Sequence, residues 1–357
     1  MLHSFTLKNF RCFQYLTLEP LERVNLIAGK NNAGKTSLLE AIFLFINPAN
    51  PESLLQVNSN RGIAKGGRFK ELEEMRVFFF NQDINSSIEL HGLGENKEKR
   101  CLKIHFAEPE EFKTIRRSIS NDKIDFIRDN DLRTLDVTPY ETLVLDYQDE
   151  KKNKLSSYIS NNILTAQSKG KKFPLGIYLT TSTHSPQEDT QRFSNLERVG
   201  RQDEVLTTLR LIEPRLQRLT LLVVDREPII HGDIGMSELV PLPLMGEGIG
   251  RLLSIILAIA NAKGGTILID EIENGLHYSV LTNVWKAIAE AARRADVQIF
   301  ATTHSQECIR AAHKAFESSN KYDFRYHRLE RVKDEIRAVT YNQETLATSD
   351  EMNLEMR

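Results

Sequence analysis

The chain begins with alternating apolar and polar positions and then becomes mostly apolar. Phe5 to Phe10 and Tyr15 to Glu19 alternate with a period of two, as half-buried strands do, and Val24 to Ala28 is typical of a buried strand. After a glycine-rich turn, Thr36 to Ile46 shows helical spacing with apolar residues on more than one face. The pattern predicts three strands and then a helix buried between layers, which Pro48 ends.

Short strand-like segments dominate the chain from about residue 77 to residue 182, separated by clusters of Asn, Asp, Gly and Lys. These segments are RVFFF, SSIELHG, CLKIHF, ETLVLDY and PLGIYLTT. They predict a β-rich lobe of antiparallel strands. From Gln187 to Leu219 the spacing becomes helical, with Val205, Leu209, Ile212 and Leu216 on one face, which predicts a short helical arm.

Helices and buried strands alternate in the last third of the chain. Helical spacing covers Gly248 to Ala262 and Tyr278 to Ala295, and short apolar runs cover Thr266 to Ile269 and Gln298 to Thr302. This alternation predicts a parallel sheet with helices on its faces. From Tyr322 onward the pattern predicts a pair of strands and a polar helical end.

Composition indicates a globular protein whose net charge gives no overall electrostatic attraction to nucleic acid or to an anionic membrane. The 357 residues are 40% hydrophobic and 27% charged, which suits two or three lobes. The 47 Lys and Arg nearly balance the 49 Asp and Glu, giving a net charge of -2. Binding of nucleic acid or of an anionic membrane would therefore need a local basic site.

The cysteines and the apolar runs both favour a cytoplasmic protein. Cys12, Cys101 and Cys308 are far apart and form no Cys-x-x-Cys, which argues against a disulfide framework or a structural zinc site. The N-terminus lacks the apolar core of a signal peptide. The longest apolar run, Leu252 to Ala262, is far shorter than the about 20 residues of a membrane helix. We expect no membrane span.

A phosphate-binding loop follows the first buried strand. Gly29 to Thr36, GKNNAGKT, fits G-x-x-x-x-G-K-[ST], and it lies between a predicted strand and a predicted helix, as the motif requires. Gly29 and Gly34 let backbone N–H groups face a phosphate, Lys35 can reach the β- and γ-phosphate oxygens, and Thr36 can hold Mg²⁺. The sequence therefore predicts a nucleotide site here.

Two further strand ends are followed by candidate catalytic and metal-binding residues. Asp270 and Glu271 follow the strand Thr266 to Ile269, where Asp270 can bind Mg²⁺ and Glu271 can activate water. An acidic strand end is commonly just solvated, but the phosphate-binding loop upstream favours the catalytic interpretation. His304 follows the strand Gln298 to Thr302 and can hydrogen-bond a γ-phosphate, the alternative being an ordinary loop histidine. Glu273 is interpreted as structural rather than as a third metal ligand.

The motifs LKNFRCFQ, GKNNAGKT, LIDEIENGLHYSV and FATTHSQECI together resemble ABC-type ATPase heads of the SMC, RecF and OLD-like group, across most of the chain. The last two are similar to the short AAA-15/AAA-21 or OLD-like ATPases. The resemblance implies an α/β fold with a mixed or parallel central sheet, an antiparallel β-rich lobe and a short helical arm. It divides the chain into an N-terminal ATPase lobe (1–182), the arm (183–222) and a C-terminal ATPase lobe (223–357).

The resemblance also assigns roles to residues. It implies that Glu271, His304 and Lys35 are catalytic, that Thr36 and Asp270 bind Mg²⁺, and that Gly275 to His277 form the D-loop. Arg11 would lie near the nucleotide phosphates. The remaining predicted ATP contacts are Gly29, Asn31, Asn32, Ala33, Gly34, Lys35, Thr36 and Ser37.

Two family elements match this sequence weakly. The signature loop becomes MGEGIGR, Met245 to Arg251, without the serine that would reach the opposite γ-phosphate. Closure of a composite site would then rely on the N–H groups of Gly246 and Gly248, the alternative being a glycine-rich helix cap with no role in trans. Gln82 is the candidate for the glutamine that contacts the metal, the alternative being an ordinary turn residue.

The implied function is an ATP-dependent switch that dimerises, or forms higher homo-oligomers, around ATP and Mg²⁺ and regulates a separate nuclease or toxin effector in antiphage defence. Only 53 residues follow His304, so no Toprim nuclease is expected in this chain. The alternatives are a DNA-repair ATPase that clamps DNA and an ATP-stabilised scaffold with slow turnover. Basic clusters at Lys151 to Lys154 and Lys169 to Lys172 are the candidate DNA contacts, although such runs are usually solvated hairpin tips.

Overall fold

The computed structural model describes residues 1–48, 50–63, 73–95, 97–113, 142–159, 164–166, 173–181 and 186–352. Its strands are β1 (Leu2–Phe10), β2 (Phe13–Leu18), β3 (Val24–Gly29), β4 (Ile88–Gly94), β5 (Lys99–Phe106), β6 (Leu143–Gln148), β7 (Lys154–Ile159), β8 (Leu164–Ala166), β9 (Gly176–Leu179), β10 (Arg218–Val224), β11 (Glu227–Asp233), β12 (Val240–Pro241), β13 (Thr266–Ile269), β14 (Gln298–Thr302), β15 (Phe324–Val332) and β16 (Glu335–Tyr341). Its helices are α1 (Lys35–Ile46), α2 (Glu52–Asn60), α3 (Glu73–Arg76), α4 (Pro186–Glu197), α5 (Gln202–Leu209), α6 (Glu247–Asn261), α7 (Leu281–Ala295), α8 (Gln306–Glu317) and α9 (Gln343–Glu351). The chain therefore has the mixed α/β fold that its pattern predicts.

A six-stranded sheet positions the candidate site. Its order is β16-β15-β3-β14-β13-β9, and every neighbouring pair except β15 with β16 is parallel. The carboxyl ends of β3, β13 and β14 therefore lie at one edge of this sheet. Asp270 and the segment that follows Thr302 emerge at that edge beside the loop that follows β3.

Two further sheets complete the fold. Strands β2, β1, β4, β5, β6, β7 and β8 form an antiparallel sheet in that order, and β10, β11 and β12 form a small antiparallel sheet. Helix α1 is buried between the parallel and antiparallel sheets, since its apolar side chains pack with residues of both. A second core lies on the other face of the parallel sheet and contains the apolar stripes of α4 to α8.

Three local predictions are wrong. The segment Arg76 to Phe80 forms no strand: α3 ends at Arg76, and only Phe79 makes an isolated bridge, to Phe10. The PLGIYLTT segment does form a strand, β9, but it joins the parallel sheet beside β13 rather than the antiparallel lobe. The predicted helical arm extends to Leu219, but the helices end before Arg218, because Arg218 to Val224 form β10 and pair with β11 along the whole strand.

The structure places one of the two predicted basic clusters. Lys151 and Lys152 lie in the exposed turn between β6 and β7, and Lys154 begins β7, so this basic cluster is the hairpin tip that was expected. Residues 169–172 lie outside the described residues.

None of the helices in the described ranges is long and apolar enough to span a membrane.

Candidate nucleotide site

The loop between β3 and α1 has the backbone that its two glycines permit. Gly29 has a φ of 150° and Gly34 a φ of 89°, in the region that disfavours side chains. A Cβ atom at Gly34 would lie 2.6 Å from the ring of Phe13, so space and backbone both require glycine there. Helix α1 begins immediately after Gly34, which directs its first N–H groups toward the loop.

Lys35 closes this loop from inside. Its ammonium donates to the carbonyl oxygens of Gly29 at 2.7 Å and Lys30 at 3.2 Å, and it lies 3.3 Å from Nδ1 of His304. Burial lowers the pKa of Lys35, an effect that the nearby carboxylates of Asp270 and Glu271 partly oppose. The cation is thus held in the loop and faces the carboxylates at the end of β13.

Oxygen ligands suited to Mg²⁺ meet between α1 and β13. Thr36 Oγ1 donates to Asp270 Oδ2 at 2.9 Å, and Thr302 Oγ1 donates to the other carboxylate oxygen at 2.5 Å. Asp270 is 6% exposed, so its carboxylate is oriented by these two hydroxyl groups. A hydroxyl and a carboxylate in contact are a donor set that Mg²⁺ prefers, and the pair fits the predicted metal site.

Glu271 and His304 face each other across the same edge of the sheet. Glu271 Oε1 lies 3.4 Å from His304 Nε2, and both side chains are about one third exposed, at 35% and 37%. Glu271 Oε2 accepts a hydrogen bond from Asn274 Nδ2 at 3.0 Å, and its backbone has a φ of 47°. The carboxylate is therefore oriented and still accessible to solvent, as a group that accepts a proton from water must be.

Glu273 holds the loop that carries the histidine. Its Oε1 accepts a hydrogen bond from the backbone N–H of His304 at 2.7 Å. The same imidazole contacts Lys35 and Glu271 through its two ring nitrogens. The Glu273 carboxylate therefore determines where the ring sits, which agrees with a structural role.

Replacing Glu273 with alanine is expected to lower kcat by roughly tenfold or more, since a charge-assisted hydrogen bond contributes about 1.5–3 kcal/mol. Glu273→Gln keeps an acceptor oxygen and should remain close to the parent. ATP affinity should change little in either variant, because neither removes a group from the loop after β3. Steady-state kcat and KM distinguish an effect on turnover from an effect on ATP binding. A parental kcat for Glu273→Ala would contradict the positioning role of Glu273.

Arg11 lies in a buried ion-pair network with Glu40. Its Nε is 2.7 Å from Glu40 Oε2, and its guanidinium also donates to Asn58 Oδ1. Arg61 contacts the other oxygen of Glu40 at 2.6 Å and donates to Ser37 Oγ at 3.1 Å. Burial raises the pKa of Glu40 and lowers that of Arg11, while each charge opposes the shift of the other.

These contacts bear on two predicted nucleotide residues. Arg11 and Ser37 both have protein partners here, so their contacts with phosphate stay predictions. Sequence reasoning missed Glu40, although a lone carboxylate within the apolar segment TSLLEAIFLFI signals that a buried cation must pair with it.

The other predicted loop residues lie where the motif places them. Ala33 N–H donates to Lys30 O at 3.2 Å, and Asn32 has a φ of 62° and accepts a long hydrogen bond from Arg331 of β15. Asn31 is exposed beside them. Gln82, in contrast, ends a 3₁₀ turn with its side chain exposed, so its assignment to the metal stays a prediction.

The signature-like loop packs on the predicted D-loop of its own chain. Gly246 precedes α6 with a φ of 115°, and a Cβ there would have no atom within 4 Å. A Cβ at Gly248 would lie 2.5 Å from the carbonyl oxygen of Gly275. The two glycines thus differ: Gly246 borders open space, whereas Gly248 allows close contact between α6 and the segment after Glu271.

Arg251 joins the same helix to the strand ends. Its guanidinium donates to the backbone oxygens of Thr180 at 3.0 Å and Asp270 at 2.5 Å, with a longer contact to Glu271 O. Burial lowers its pKa, and the carboxylates of Asp270 and Glu273 oppose that shift. Helix α6 is therefore connected directly to the backbone of the two acidic residues.

Gly248→Ala is expected to lower the free energy of unfolding by about 1–3 kcal/mol, because the added methyl forces α6 and the Gly275 segment apart. Gly94→Ala is the control, since the nearest atom to its Cβ would be a flexible Glu98 oxygen at 3.4 Å. Denaturant titration compares the two variants with the parent. Equal stability of Gly248→Ala and the parent would show that the close contact is dispensable.

The chain is similar to several known proteins. Residues 24–310 match the family AAA_21, described as "AAA domain, putative AbiEii toxin, Type IV TA system". An ATP/GTP phosphatase of Helicobacter pylori is 25% identical over 339 residues, covering 87% of this chain and 86% of its own length. The DNA replication and repair protein RecF of Pseudoalteromonas translucida is 57% identical over 42 residues, 12% of each chain.

The fold has solved counterparts. The SmcHead bound to the C-winged helix domain of ScpA superposes with a TM-score of 0.52 at 12% identity, covering 97% of this chain and 99% of that chain. At such low identity the likeness concerns the fold alone.

Proposed function

This chain belongs to the AAA_21 family and is an ATPase of the SMC and RecF type, and from that premise we propose that it is an ATP- and Mg²⁺-dependent switch that dimerises around the nucleotide. The observation that carries the proposal is the convergence of Lys35, Thr36, Asp270, Glu271 and His304 at one sheet edge. A cation, a metal-binding pair, a solvent-accessible carboxylate and an imidazole are the groups that phosphoryl transfer to water requires.

In the proposed reaction the loop after β3 binds the phosphates through backbone N–H groups, and Lys35 neutralises charge on the β- and γ-phosphates. Thr36 and Asp270 would hold Mg²⁺, which would offset negative charge on the transferred phosphoryl group. Glu271 accepts the proton of the attacking water as the bond from phosphorus to the leaving oxygen breaks, and ADP and phosphate are the products. His304 contacts the γ-phosphate and also contacts Glu271. Its contact with Glu271 therefore changes when that carboxylate is protonated.

Dimerisation is proposed to bring Gly246 of one subunit toward the nucleotide of the other. Its open surroundings and the start of α6 immediately behind it leave backbone N–H groups available to an anion. Because the loop has no serine, this contact uses backbone groups alone, and we expect slow turnover. The Gly248 contact with Gly275 would transmit a change at this loop to Glu271.

Mass measurement with and without nucleotide tests the switch. With ATP and Mg²⁺ under conditions that block hydrolysis, the assembly should be twice the mass measured without nucleotide. Once hydrolysis is allowed, it should return to the smaller mass as ATP is consumed. ATP hydrolysis without any nucleotide-dependent change of mass would contradict the switch and leave the ATPase assignment intact.

The output of the switch is proposed to be control of a separate effector protein, a nuclease or toxin, in cytoplasmic antiphage defence. The family description refers to a toxin–antitoxin system, which supports this role. Co-purification with the products of neighbouring genes tests it: a stoichiometric effector whose activity depends on ATP supports the proposal. An effector whose activity is unaffected by ATP would contradict it.

A DNA-maintenance ATPase is the second candidate, favoured by the exposed lysines at the tip of the β6–β7 hairpin. Contacts with phosphates release counterions, so binding should weaken steeply with salt. DNA-stimulated hydrolysis that falls between low and physiological salt, and that is lost when Lys151 and Lys152 are replaced, would favour this candidate over the effector switch.

A further inference from the structure

Strand β10 forms one edge of the small sheet, whose order is β10-β11-β12. The β10–β11 turn consists of Asp225 and Arg226, both with positive φ, so Val224 and Glu227 form the hydrogen-bonded pair that closes the hairpin. Pairs alternate along an antiparallel ladder. The backbone N–H and C=O groups of Leu219, Leu221 and Val223 therefore point away from β11, toward the free edge.

Pro228 supports this alternation. It lies opposite Val223, at a position that needs no N–H donor to β10. Within the described ranges, no strand pairs with the outer edge of β10. The three outward-facing residues therefore present a row of donors and acceptors to solvent or to another chain.

The edge lacks the features that normally prevent pairing. The segment Leu219 to Val224, LTLLVV, contains no charge and no proline, and three of its members are exposed: Leu222 at 39%, Val223 at 74% and Val224 at 43%. Soluble proteins usually protect such edges with lysine, proline or a bulge. An exposed apolar edge strand of this length is a site for strand addition.

We propose that β10 pairs in antiparallel fashion with β10 of a second copy of this chain, joining the two small sheets into one. A two-fold axis normal to the sheet places each residue opposite one of the same parity. Centring the pair on Leu221 uses all three outward-facing residues, with Leu221 opposite its own counterpart and Leu219 opposite the partner's Val223. This register forms six backbone hydrogen bonds.

Packing and the absence of like charges favour a second copy as the occupant. The paired segment Leu219 to Val223 contains no charge, and Arg218, which would lie opposite the partner's Val224, keeps Asp233 of its own hairpin as its ion-pair partner. The partner's Val223 is placed beside Leu219, which is 8% exposed and belongs to the core under the sheet. Exposed apolar surface thereby extends an existing core, which is the favourable outcome of burying it.

This interface differs from the proposed nucleotide-dependent one. Strand β12 and β11 contact the 3₁₀ turn Leu242–Met245 before Gly246, whereas β10 lies on the far side of β11. The β10 contact needs no nucleotide and does not rest on the proposed function. A chain with both contacts would form assemblies larger than a dimer when ATP is bound.

Sedimentation equilibrium of the full chain without nucleotide gives the first test. We expect a dimer that Val223→Pro weakens at least tenfold in Kd, because proline removes an outward N–H at each end of the ladder but no hydrogen bond within the hairpin. Met236→Thr, which replaces another exposed apolar residue (64%), is the control and should dimerise like the parent. A monomeric parent, or a Val223→Pro variant with parental Kd, would overturn the proposal.

Cross-linking gives a second test that does not depend on the folding of the proline variant. Directly opposed residues of a hydrogen-bonded pair have Cα atoms about 5.5 Å apart, within reach of a disulfide, whereas diagonal neighbours are about 7–8 Å apart. Leu221→Cys should therefore form a disulfide dimer on mild oxidation, and Leu222→Cys should not. Equal cross-linking of the two variants, or none above the parent, would exclude this register.

Discussion

Lys35→Ala is expected to abolish nucleotide binding. The ammonium is buried in the loop after β3, within 3.3 Å of the carbonyl oxygens of Gly29 and Lys30 and of the His304 ring. An ion in this position interacts with phosphates with little screening by water. Isothermal titration with ATP and with ADP should show a loss of affinity of about 10²-fold or more, equivalent to about 2.7 kcal/mol or more.

Lys30→Ala is the matched control for this experiment. Lys30 belongs to the same loop and carries the same charge, but its side chain is exposed. It should bind nucleotide close to the parental affinity. Thermal unfolding of both variants separates a lost phosphate contact from a collapsed loop, because Lys35 also ties two loop carbonyls together. A folded Lys35→Ala protein with parental ATP affinity would refute the phosphate-binding assignment.

Glu271→Gln is expected to give the opposite combination: ATP binds and persists. The amide keeps the size of the side chain and an oxygen that can accept the Asn274 hydrogen bond, but it cannot take a proton from water. Hydrolysis should fall by about 10²-fold or more, as expected for loss of a general base. Single-turnover hydrolysis and the mass of the complex with ATP measure the two effects, and that mass should be twice the mass of the same variant without nucleotide.

A distant carboxylate provides the control for Glu271. Glu335 is 61% exposed and pairs only with its neighbour Arg337 among the described contacts, so Glu335→Gln should hydrolyse ATP at the parental rate. If Glu271→Gln also kept the parental rate, the proton would have to pass to another group, and the role assigned to the end of β13 would be wrong.

Local sequence was sufficient to predict the structure where a single segment contains the residues that determine its conformation. The loop after β3 combines two glycines with positive φ, a lysine and a helix start within eight residues, so its shape and chemistry follow from the motif. The strands β13 and β14 were predicted with their observed bounds, because short buried apolar runs between helices have few other places in an α/β fold. Parallel strand ends then bring Asp270 and His304 to the same edge.

Tertiary structure decided everything that depends on a distant partner. Whether Arg11 faces a phosphate or Glu40, and whether β9 joins the parallel or the antiparallel sheet, depends on which segments meet in space. The same holds for Gly248, whose close contact with Gly275 spans 27 positions, and for the end of the predicted helical arm, which stops where Arg218 to Val224 pair with β11. Periodicity records which face of a segment is apolar; the neighbour that covers that face is selected by packing and charge compensation across the whole chain.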